Sequence, residues 1–285
     1  MASVKEVLAE QLAANQSSNA LWNRFEGHRT RLTELCARDV SLGSEQTLCV
    51  LGAGNANDLD LEALGARYRS IVLVDLDAAA LERAVARQNA PTRARLACRA
   101  PVDVSGMLGR LARWQSSQVT PEELVELPSA VARELRFRVG GTFDVVLSAC
   151  MLTQMQLGLL TVLGENHRLF EAARFTLTLS HWRALSELTV SGGRILLASD
   201  LTSNDIAPAI LTTPEGELSA LAERLASEGH VFQVAHPSLL RAMVKDDPVL
   251  AGELALRPEL SAWLWQNGAT RTFLVQTLEA RRNPY

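Results

Sequence analysis

The chain has 285 residues, of which 47% are hydrophobic, 21% charged and 5% aromatic, a composition that can bury a large core and excludes disordered, fibrous and disulfide-scaffold proteins. Its 28 lysines and arginines against 32 aspartates and glutamates give a formal net charge of −4, which provides no overall field to attract a phosphate backbone or anionic lipid. A dedicated nucleic-acid binder or membrane-bound protein is therefore not expected.

No segment is expected to enter a membrane. The most apolar stretch, residues 151–164, carries Gln154 and Gln156 and is about half as long as a spanning helix. Polar residues between Lys5 and Gln11 interrupt any signal-peptide core. The four cysteines lack CxxC spacing. We expect a soluble, cytoplasmic protein with free thiols and no structural zinc.

Strands and helices are predicted to alternate along the chain. Short runs rich in valine, isoleucine and leucine predict seven buried strands, over residues 47–51, 70–74, 95–98, 143–148, 194–199, 231–235 and 272–276. Amphipathic patterns between them predict crossover helices, over residues 61–67, 78–88, 181–188 and 217–228. The predicted fold is α/β, a doubly wound, mostly parallel sheet.

A helical cap is predicted before the first strand, over residues 1–45. One apolar stripe on a helix is formed, at steps of three and four, by Leu21, Phe25, His28, Leu32 and Leu35. We expect this helix to cover the ligand site. Residues 46–285 are predicted to form one Rossmann-like domain.

Two insertions are predicted in that domain. Within residues 104–140, Thr120-Pro121-Glu122-Glu123 has the pattern of a capping box with a first-turn proline, so an extra helix should begin there. Residues 236–269 contain three prolines, then Trp263 and Trp265, and predict a helical insertion. On a helix these two tryptophans would point to different sides.

The loop after the first strand is the strongest indication of function. Strand 47–51 is followed by Gly52-Ala53-Gly54-Asn55 and a helix. Glycines let the backbone approach a ligand closely, and the free N–H groups at a helix start attract negative charge. Asp75 ends the second strand, where an acid accepts hydrogen bonds from ribose hydroxyls. The pair predicts an adenosine-containing ligand; the alternative is a tight turn without a ligand.

Two other nucleotide loops do not match. The dinucleotide fingerprint GxGxxG requires a third glycine where this chain has Asn57. No GxxxxGK[ST] sequence occurs. NAD, FAD and Walker-type nucleotide binding are therefore disfavoured.

Residues 46–199 resemble class I S-adenosylmethionine-dependent methyltransferases. Residues 50–55 are similar to the family's first motif, beneath the methionine part of the cofactor, and residues 143–150 to the fourth-strand motif bordering the transferring methyl group. Residues 188–197 are similar to its L-x-PGG entry to the fifth strand, with Ser191 replacing the proline. The resemblance implies strand order 3-2-1-4-5-7-6, with strand seven antiparallel.

The resemblance also implies S-adenosylmethionine as cofactor. Asp75 would bind the ribose and Asp103 the adenine amine. The other candidate cofactor-binding residues are Gly52, Ala53, Gly54, Asn55, Leu76, Val104, Ser148, Cys150 and Arg29. Asp200 with Asn204-Asp205 matches only part of the metal-assisted catechol pattern, so no metal is assigned.

Candidate catalytic residues lie where ligands bind in such sheets, at the carboxyl ends of the strands. They are His181, His28, Gln154 and Asp200. His181, predicted at the start of a helix, is either a packed core histidine or the general base. His28 either packs in its apolar stripe or enters the pocket. Gln154 either orients an acceptor or faces water.

The expected reaction is O- or N-methylation of a small molecule or peptide. The segment Ser148-Ala-Cys-Met is not the [DN]PP[YF] motif used on base amines. Cys150 is expected to line the pocket, because nothing cationic near it in sequence activates its thiol. Alternatives are an aminopropyl- or aminocarboxypropyltransferase on the same fold, or a non-catalytic regulatory subunit. A homodimer is left open.

Overall fold

One mixed sheet forms the centre of the structure, a computed structural model that describes residues 4–114 and 119–284. Its eight strands are β1 (Thr47–Leu51), β2 (Ser70–Val74), β3 (Leu96–Arg99), β4 (Phe143–Ala149), β5 (Thr189–Ser203), β6 (Leu254–Leu256), β7 (Ser261–Gln266) and β8 (Thr272–Arg282). Their order is β3-β2-β1-β4-β5-β8-β6, with β7 also paired to β8. Strands β1 to β5 are parallel, and β8 is antiparallel to β5.

The predicted α/β fold is confirmed, with β8 in the position of the family's seventh strand. The central strands read as continuous apolar runs because both of their faces are buried. In β1, Leu48 and Val50 belong to the core on one face of the sheet, whereas Cys49 and Leu51 belong to the core on the other.

Twelve α-helices occur among the described residues, and they cover both faces of this sheet. They are α1 (Val4–Ser18), α2 (Glu26–Ala37), α3 (Leu61–Gly65), α4 (Ala78–Ala86), α5 (Ala90–Arg93), α6 (Leu108–Trp114), α7 (Pro121–Val139), α8 (Leu152–Leu163), α9 (Phe170–Leu188), α10 (Leu218–Ser227), α11 (Pro237–Asp246) and α12 (Pro248–Glu253). None of them is long and apolar enough to cross a membrane.

Helix α7 begins at the predicted capping box. Thr120 Oγ1 accepts a hydrogen bond from Glu123 N at 3.3 Å, and the Glu123 carboxylate accepts one from Thr120 N at 3.4 Å. This reciprocal pair satisfies two backbone donors at the helix start. The predicted start of the extra helix is therefore confirmed.

The sixth strand was predicted in the wrong place. Residues 231–235 contain a 3₁₀ turn, Gln233–Ala235, rather than a strand, and Pro237 then starts α11. The segment 236–269, predicted to be helical, is helical only as far as Glu253. Strands β6 and β7 both pair antiparallel with β8 and form one edge strand, interrupted by a segment containing Pro258, which cannot donate to a ladder.

The N-terminal segment contains two helices, and the predicted apolar stripe does not lie on a single helix. Helix α1 is followed by a 3₁₀ turn, Trp22–Phe25, and then by α2. The stripe is buried at Phe25, His28 and Leu32, where α2 contacts β7. In α1, by contrast, Val7 is the buried residue.

Candidate functional site

A cavity of about 270 Å³ lies at the carboxyl ends of β1, β2 and β4. Its walls come from the loops after β1, β2 and β3, from α6 and α8, and from α1 above them. The predicted cofactor-binding residues that line it are Gly52, Ala53, Gly54, Asn55, Asp75, Leu76, Asp103, Val104 and Cys150. Of the four catalytic candidates, Gln154 lines it.

The glycine loop adopts a backbone that suits glycine. Gly52 has φ +73° and Gly54 has φ +48°, which is the left-handed region. A Cβ atom on Gly52 would lie 2.0 Å from the Met151 sulfur, so no other residue fits there without a rearrangement. The loop can therefore run directly beneath the cavity.

Asp75 fixes the loop to the second strand. Gly54 N–H donates to Asp75 Oδ2 at 2.7 Å, and Asp77 N–H donates to Asp75 Oδ1 at 2.9 Å. Burial raises the pKa of Asp75, while these backbone N–H groups oppose the shift. Each carboxylate oxygen has a second lone pair, so Asp75 can still accept hydrogen bonds from a ligand.

Asn57 and Asn55 attach α1 to the glycine loop. Asn57 Nδ2 donates to Ser18 O at 2.7 Å, and Asn55 Nδ2 donates to Asn15 O at 2.5 Å. On their other side, Arg87 Nη1 donates to Asn57 Oδ1 at 2.9 Å. The residue that replaces the dinucleotide fingerprint's third glycine therefore holds the helix above the cavity.

The cover of the cavity is α1, together with Leu21 and Phe25. The sequence analysis predicted that the helix carrying His28 and Arg29 would cover the site, but neither of these lines the cavity. In α1 the lining face mixes polar and apolar residues, so it gave no apolar stripe. Close approach to α8 is possible because Gly158 has no side chain: a Cβ there would lie 3.2 Å from Val7 Cγ1.

Arg29 supports the loop from outside. Its guanidinium lies 3.7 Å from the Trp22 ring centre and donates to Trp22 O at 2.7 Å and Asn57 O at 3.2 Å. The Arg29 guanidinium therefore contacts groups of the protein itself. The prediction that Arg29 binds the cofactor therefore does not agree with its position.

His181 and Ser148 lie behind the cavity wall. His181 Nε2 is 2.7 Å from Ser148 Oγ, both residues are buried, and neither lines the cavity. The prediction that His181 starts a helix is wrong, because α9 already begins at Phe170. Burial lowers the pKa of His181 to about 4, so its imidazole is neutral at pH 7.

Asp200 is also separated from the cavity. Thr153 Oγ1 lies 2.8 Å from both carboxylate oxygens of Asp200 and donates to them. Burial raises the pKa of Asp200 to about 7. Gln154, the next residue of α8, is exposed and lines the cavity.

Cys150 occupies a strained position at the end of β4. Its φ is +49°, which is uncommon for a residue with a side chain. Burial raises the pKa of its thiol, so the group is protonated and a poor nucleophile. All four cysteines are free.

His28 is enclosed by aromatic rings. Trp263 Nε1–H donates to His28 Nδ1 at 2.9 Å, and the Trp265 ring stacks on the imidazole with 4.7 Å between centroids. The expectation that the two tryptophans point to different sides is wrong, because alternate residues of a strand share one face and both lie on β7.

Asp58 is a cavity residue that the sequence analysis missed. It lines the cavity, and its Oδ1 lies 3.6 Å from His28 Nε2. Burial raises the pKa of Asp58 to about 7, and the positive charge of Arg29 opposes the shift. Burial lowers the pKa of His28 to about 3. Its place in the turn between the glycine loop and α3 was the available signal.

No group of three or more histidine, cysteine, aspartate or glutamate residues that could hold a metal ion occurs within residues 4–114 and 119–284. Side-chain clustering in the described residues therefore gives no basis for proposing a metal site.

Comparisons with known proteins give matches among solved structures alone. No family model matches the chain, and no curated protein matches it. The N-methyltransferase NodS from Bradyrhizobium japonicum, in complex with S-adenosyl-L-homocysteine, is 15% identical over 91% of this chain and 87% of its own, with TM-score 0.44. The YcgJ protein from Bacillus subtilis is 11% identical over 90% and 99%, with TM-score 0.47.

An rRNA methylase from Streptococcus thermophilus is 10% identical over 90% of this chain and 96% of its own, with TM-score 0.41. Similarities at these identities and TM-scores do not assign an activity or an acceptor to the chain.

Proposed function

We propose that the chain is an S-adenosylmethionine-dependent methyltransferase and that the cavity binds this cofactor. The observation that carries the proposal is the contact between Gly54 N–H and Asp75 at the carboxyl edge of the sheet, where ligands bind in doubly wound folds. The sheet order is the one that the sequence resemblance implied.

The residues around the cavity fit an adenosine. Asp75 has lone pairs for the ribose hydroxyls. Buried Val102, Val104 and Met107 offer apolar surface for a base. Asp103 Oδ1 accepts from Ser105 N at 3.0 Å and from Ser105 Oγ at 2.6 Å, and its Oδ2 accepts from Leu108 N at 2.8 Å. These contacts fix the carboxylate at the start of α6 and leave one lone pair on Oδ2 for an amine.

The charge and size of the cavity support the same ligand. Four aspartates line it, and among the residues that the structure describes no lysine, arginine or histidine does. This lining suits a ligand with a positively charged sulfur and opposes the pyrophosphate of NAD. A volume of about 270 Å³ lies near the roughly 300 Å³ lower end of small-molecule sites.

Bound S-adenosylmethionine supplies a methyl group that transfers to an acceptor lone pair, while the carbon–sulfur bonding pair stays on sulfur. The protein's part is to align donor and acceptor and to exclude water. Helix α1, held by Asn55 and Asn57, provides the exclusion. The acidic, enclosed cavity favours a small-molecule or exposed side-chain acceptor over an RNA backbone, whose phosphates it would repel.

Calorimetric titration with S-adenosylhomocysteine, S-adenosylmethionine and NAD tests the proposal. Both sulfur compounds should bind and NAD should not. Asp75→Asn should weaken binding by about 1–3 kcal/mol, the range for a lost hydrogen bond to a charged group. The matched control is Asp60→Asn, because Asp60 caps α3 outside the cavity and should leave affinity unchanged. Binding of NAD alone would contradict the proposal.

The products distinguish methyl transfer from its alternatives. Once an acceptor is found, methyl transfer must release S-adenosylhomocysteine. Release of methylthioadenosine would instead identify transfer of the aminopropyl or aminocarboxypropyl group.

A further inference from the structure

Asp58 differs from the three other carboxylates of the cavity. Asp75 holds the glycine loop, Asp77 caps α4 by accepting from Ala80 N at 3.0 Å, and Asp103 caps α6. Within the described part of the chain, the buried Oδ1 of Asp58 has no hydrogen-bond partner. A buried carboxylate oxygen without a donor is costly to maintain. That oxygen faces His28, while the side chain as a whole lines the cavity and is 21% exposed, so the carboxylate can accept from a donor that arrives with a ligand.

His28 presents a fixed N–H group to that carboxylate. The imidazole is neutral, and its Nδ1 accepts a hydrogen bond from Trp263 Nε1–H. A neutral imidazole carries one proton, so that proton must be on Nε2. The N–H of Nε2 faces Asp58 Oδ1 at 3.6 Å, longer than the about 2.7–3.2 Å of a hydrogen bond. His28, itself 1% exposed, therefore limits where Asp58 can move.

The sheet order separates Asp58 from the residues assigned to adenosine. Asp75 and Asp103 follow β2 and β3, on one side of β1. Asp58 faces His28, which stacks on Trp265 of β7, on the far side of β4. Phe25 and Trp265 line the cavity there and meet edge to face at 5.3 Å. Phe25 and Trp265 therefore give this end of the cavity an apolar wall, which can hold the hydrocarbon part of a ligand.

We propose that Asp58, positioned by His28, binds the positively charged nitrogen of an amine acceptor and removes its proton before methyl transfer. The assignment rests on the proposed function and specifies its acceptor as an aliphatic amine. The proton leaves the ammonium as its N–H bonding pair becomes the nitrogen lone pair, and it forms an O–H bond on Asp58. The side chain is 21% exposed, so the proton can then pass to solvent.

The groups facing Asp58 determine the pH at which it can act. Burial raises the pKa of Asp58, the charge of Arg29 lowers it, and the Cys150 thiol and His28 imidazole are uncharged at neutral pH. The carboxylate is therefore half ionised near neutral pH. Amine binding should strengthen between about pH 6 and 8 as Asp58 ionises.

Three matched probes test the proposal on the full chain saturated with S-adenosylhomocysteine. Benzylamine should bind, whereas benzyl alcohol and benzoate, of similar shape, should bind at least about tenfold more weakly, as expected if a charge pair is needed. Asp58→Asn should remove the preference for the amine and leave affinity for S-adenosylhomocysteine unchanged. Asp60→Asn should behave as the wild type.

Several results would overturn the assignment. The assignment is wrong if benzoate binds as tightly as benzylamine, if benzylamine does not bind, or if Asp58→Asn still prefers the amine. Loss of S-adenosylhomocysteine affinity in Asp58→Asn would instead assign Asp58 to the binding site of the methyl donor. If the wild type itself does not bind S-adenosylhomocysteine, the proposed function fails, and that outcome is separate.

The positioning role of His28 has its own readout. His28→Phe removes the N–H that faces Asp58, so the pH midpoint of benzylamine binding should rise, whereas His28→Gln, which can offer an N–H donor, should restore it. A purely structural role would change stability without moving this midpoint. An unchanged midpoint in both folded variants would contradict the positioning role.

Discussion

Replacing Asp200 by asparagine should stabilise the protein above neutral pH. Asp200 is 7% exposed, and burial raises its pKa from 3.8 to about 7. Because the folded state holds the proton more tightly, the stability associated with this group is complete below about pH 4 and is lost as pH rises through about 7. A shift of about three pKa units corresponds to at most about 4 kcal/mol.

The side chain of asparagine can keep the existing contact. Thr153 Oγ1 donates to Asp200, and an amide oxygen also accepts. Urea unfolding should therefore show Asp200→Asn about 2–4 kcal/mol more stable than the wild type at pH 8 and within about 1 kcal/mol at pH 4.5.

The control is Asp205→Asn, because Asp205 is 63% exposed and pairs with Arg271 at 3.4 Å. An exposed pair contributes about 0–1 kcal/mol, so little change is expected at either pH. Equal destabilisation of Asp200→Asn at both pH values would refute the reasoning, because it would mean that the carboxylate is needed for a native contact.

Three further predictions concern Asn57, which holds α1 above the cavity, Arg194 in the core, and His181 behind the cavity wall. Asn57→Ala removes the hydrogen bond from Asn57 to Ser18 O, so it should weaken S-adenosylhomocysteine binding about tenfold and speed amide hydrogen exchange in α1. The control Asn89→Ala, which removes the N-cap of α5, should change neither the affinity nor the exchange rate. Arg194→Met should cost about 3 kcal/mol of unfolding free energy, because Arg194 is buried, forms an ion pair with buried Glu279 at 3.2 Å and donates to Leu35 O at 2.9 Å. Arg257 is 39% exposed, so Arg257→Met should cost under about 1 kcal/mol. His181 contributes stability above its unfolded pKa of 6.5 that is lost as pH falls through about 4, so any destabilisation by His181→Gln in urea should shrink from pH 7 to pH 4.5, with S-adenosylhomocysteine affinity retained.

The central sheet could be predicted because its pattern is local. Strands β1 and β2 match the predicted ranges, since burial on both faces requires an unbroken apolar run. The edge strand was different. Residues 231–235 carry a similar apolar pattern, but a helix begins directly after them at Pro237. Whether Ser261–Gln266 is a strand or a helix depends on its pairing with β8, which is distant information that a local pattern does not contain.

The candidate site divides in the same way. The glycine loop and Asp75 are close in sequence and have a fixed spacing, so they could be found. The environment of His28 could not, because it needs Trp263, 235 residues away, and the tryptophan was assigned to a helix. The cover α1 gave no signal because its cavity-lining face mixes polar and apolar residues and so has no hydrophobic period.

A crystal structure of the full chain with S-adenosylhomocysteine would test the central claim most directly. The ligand should lie in the cavity beneath α1, with its ribose hydroxyls within hydrogen-bonding distance of the Asp75 carboxylate and its adenine between the loops that follow β2 and β3. A ligand bound elsewhere on the protein, or an Asp75 carboxylate that makes no contact with it, would contradict the account.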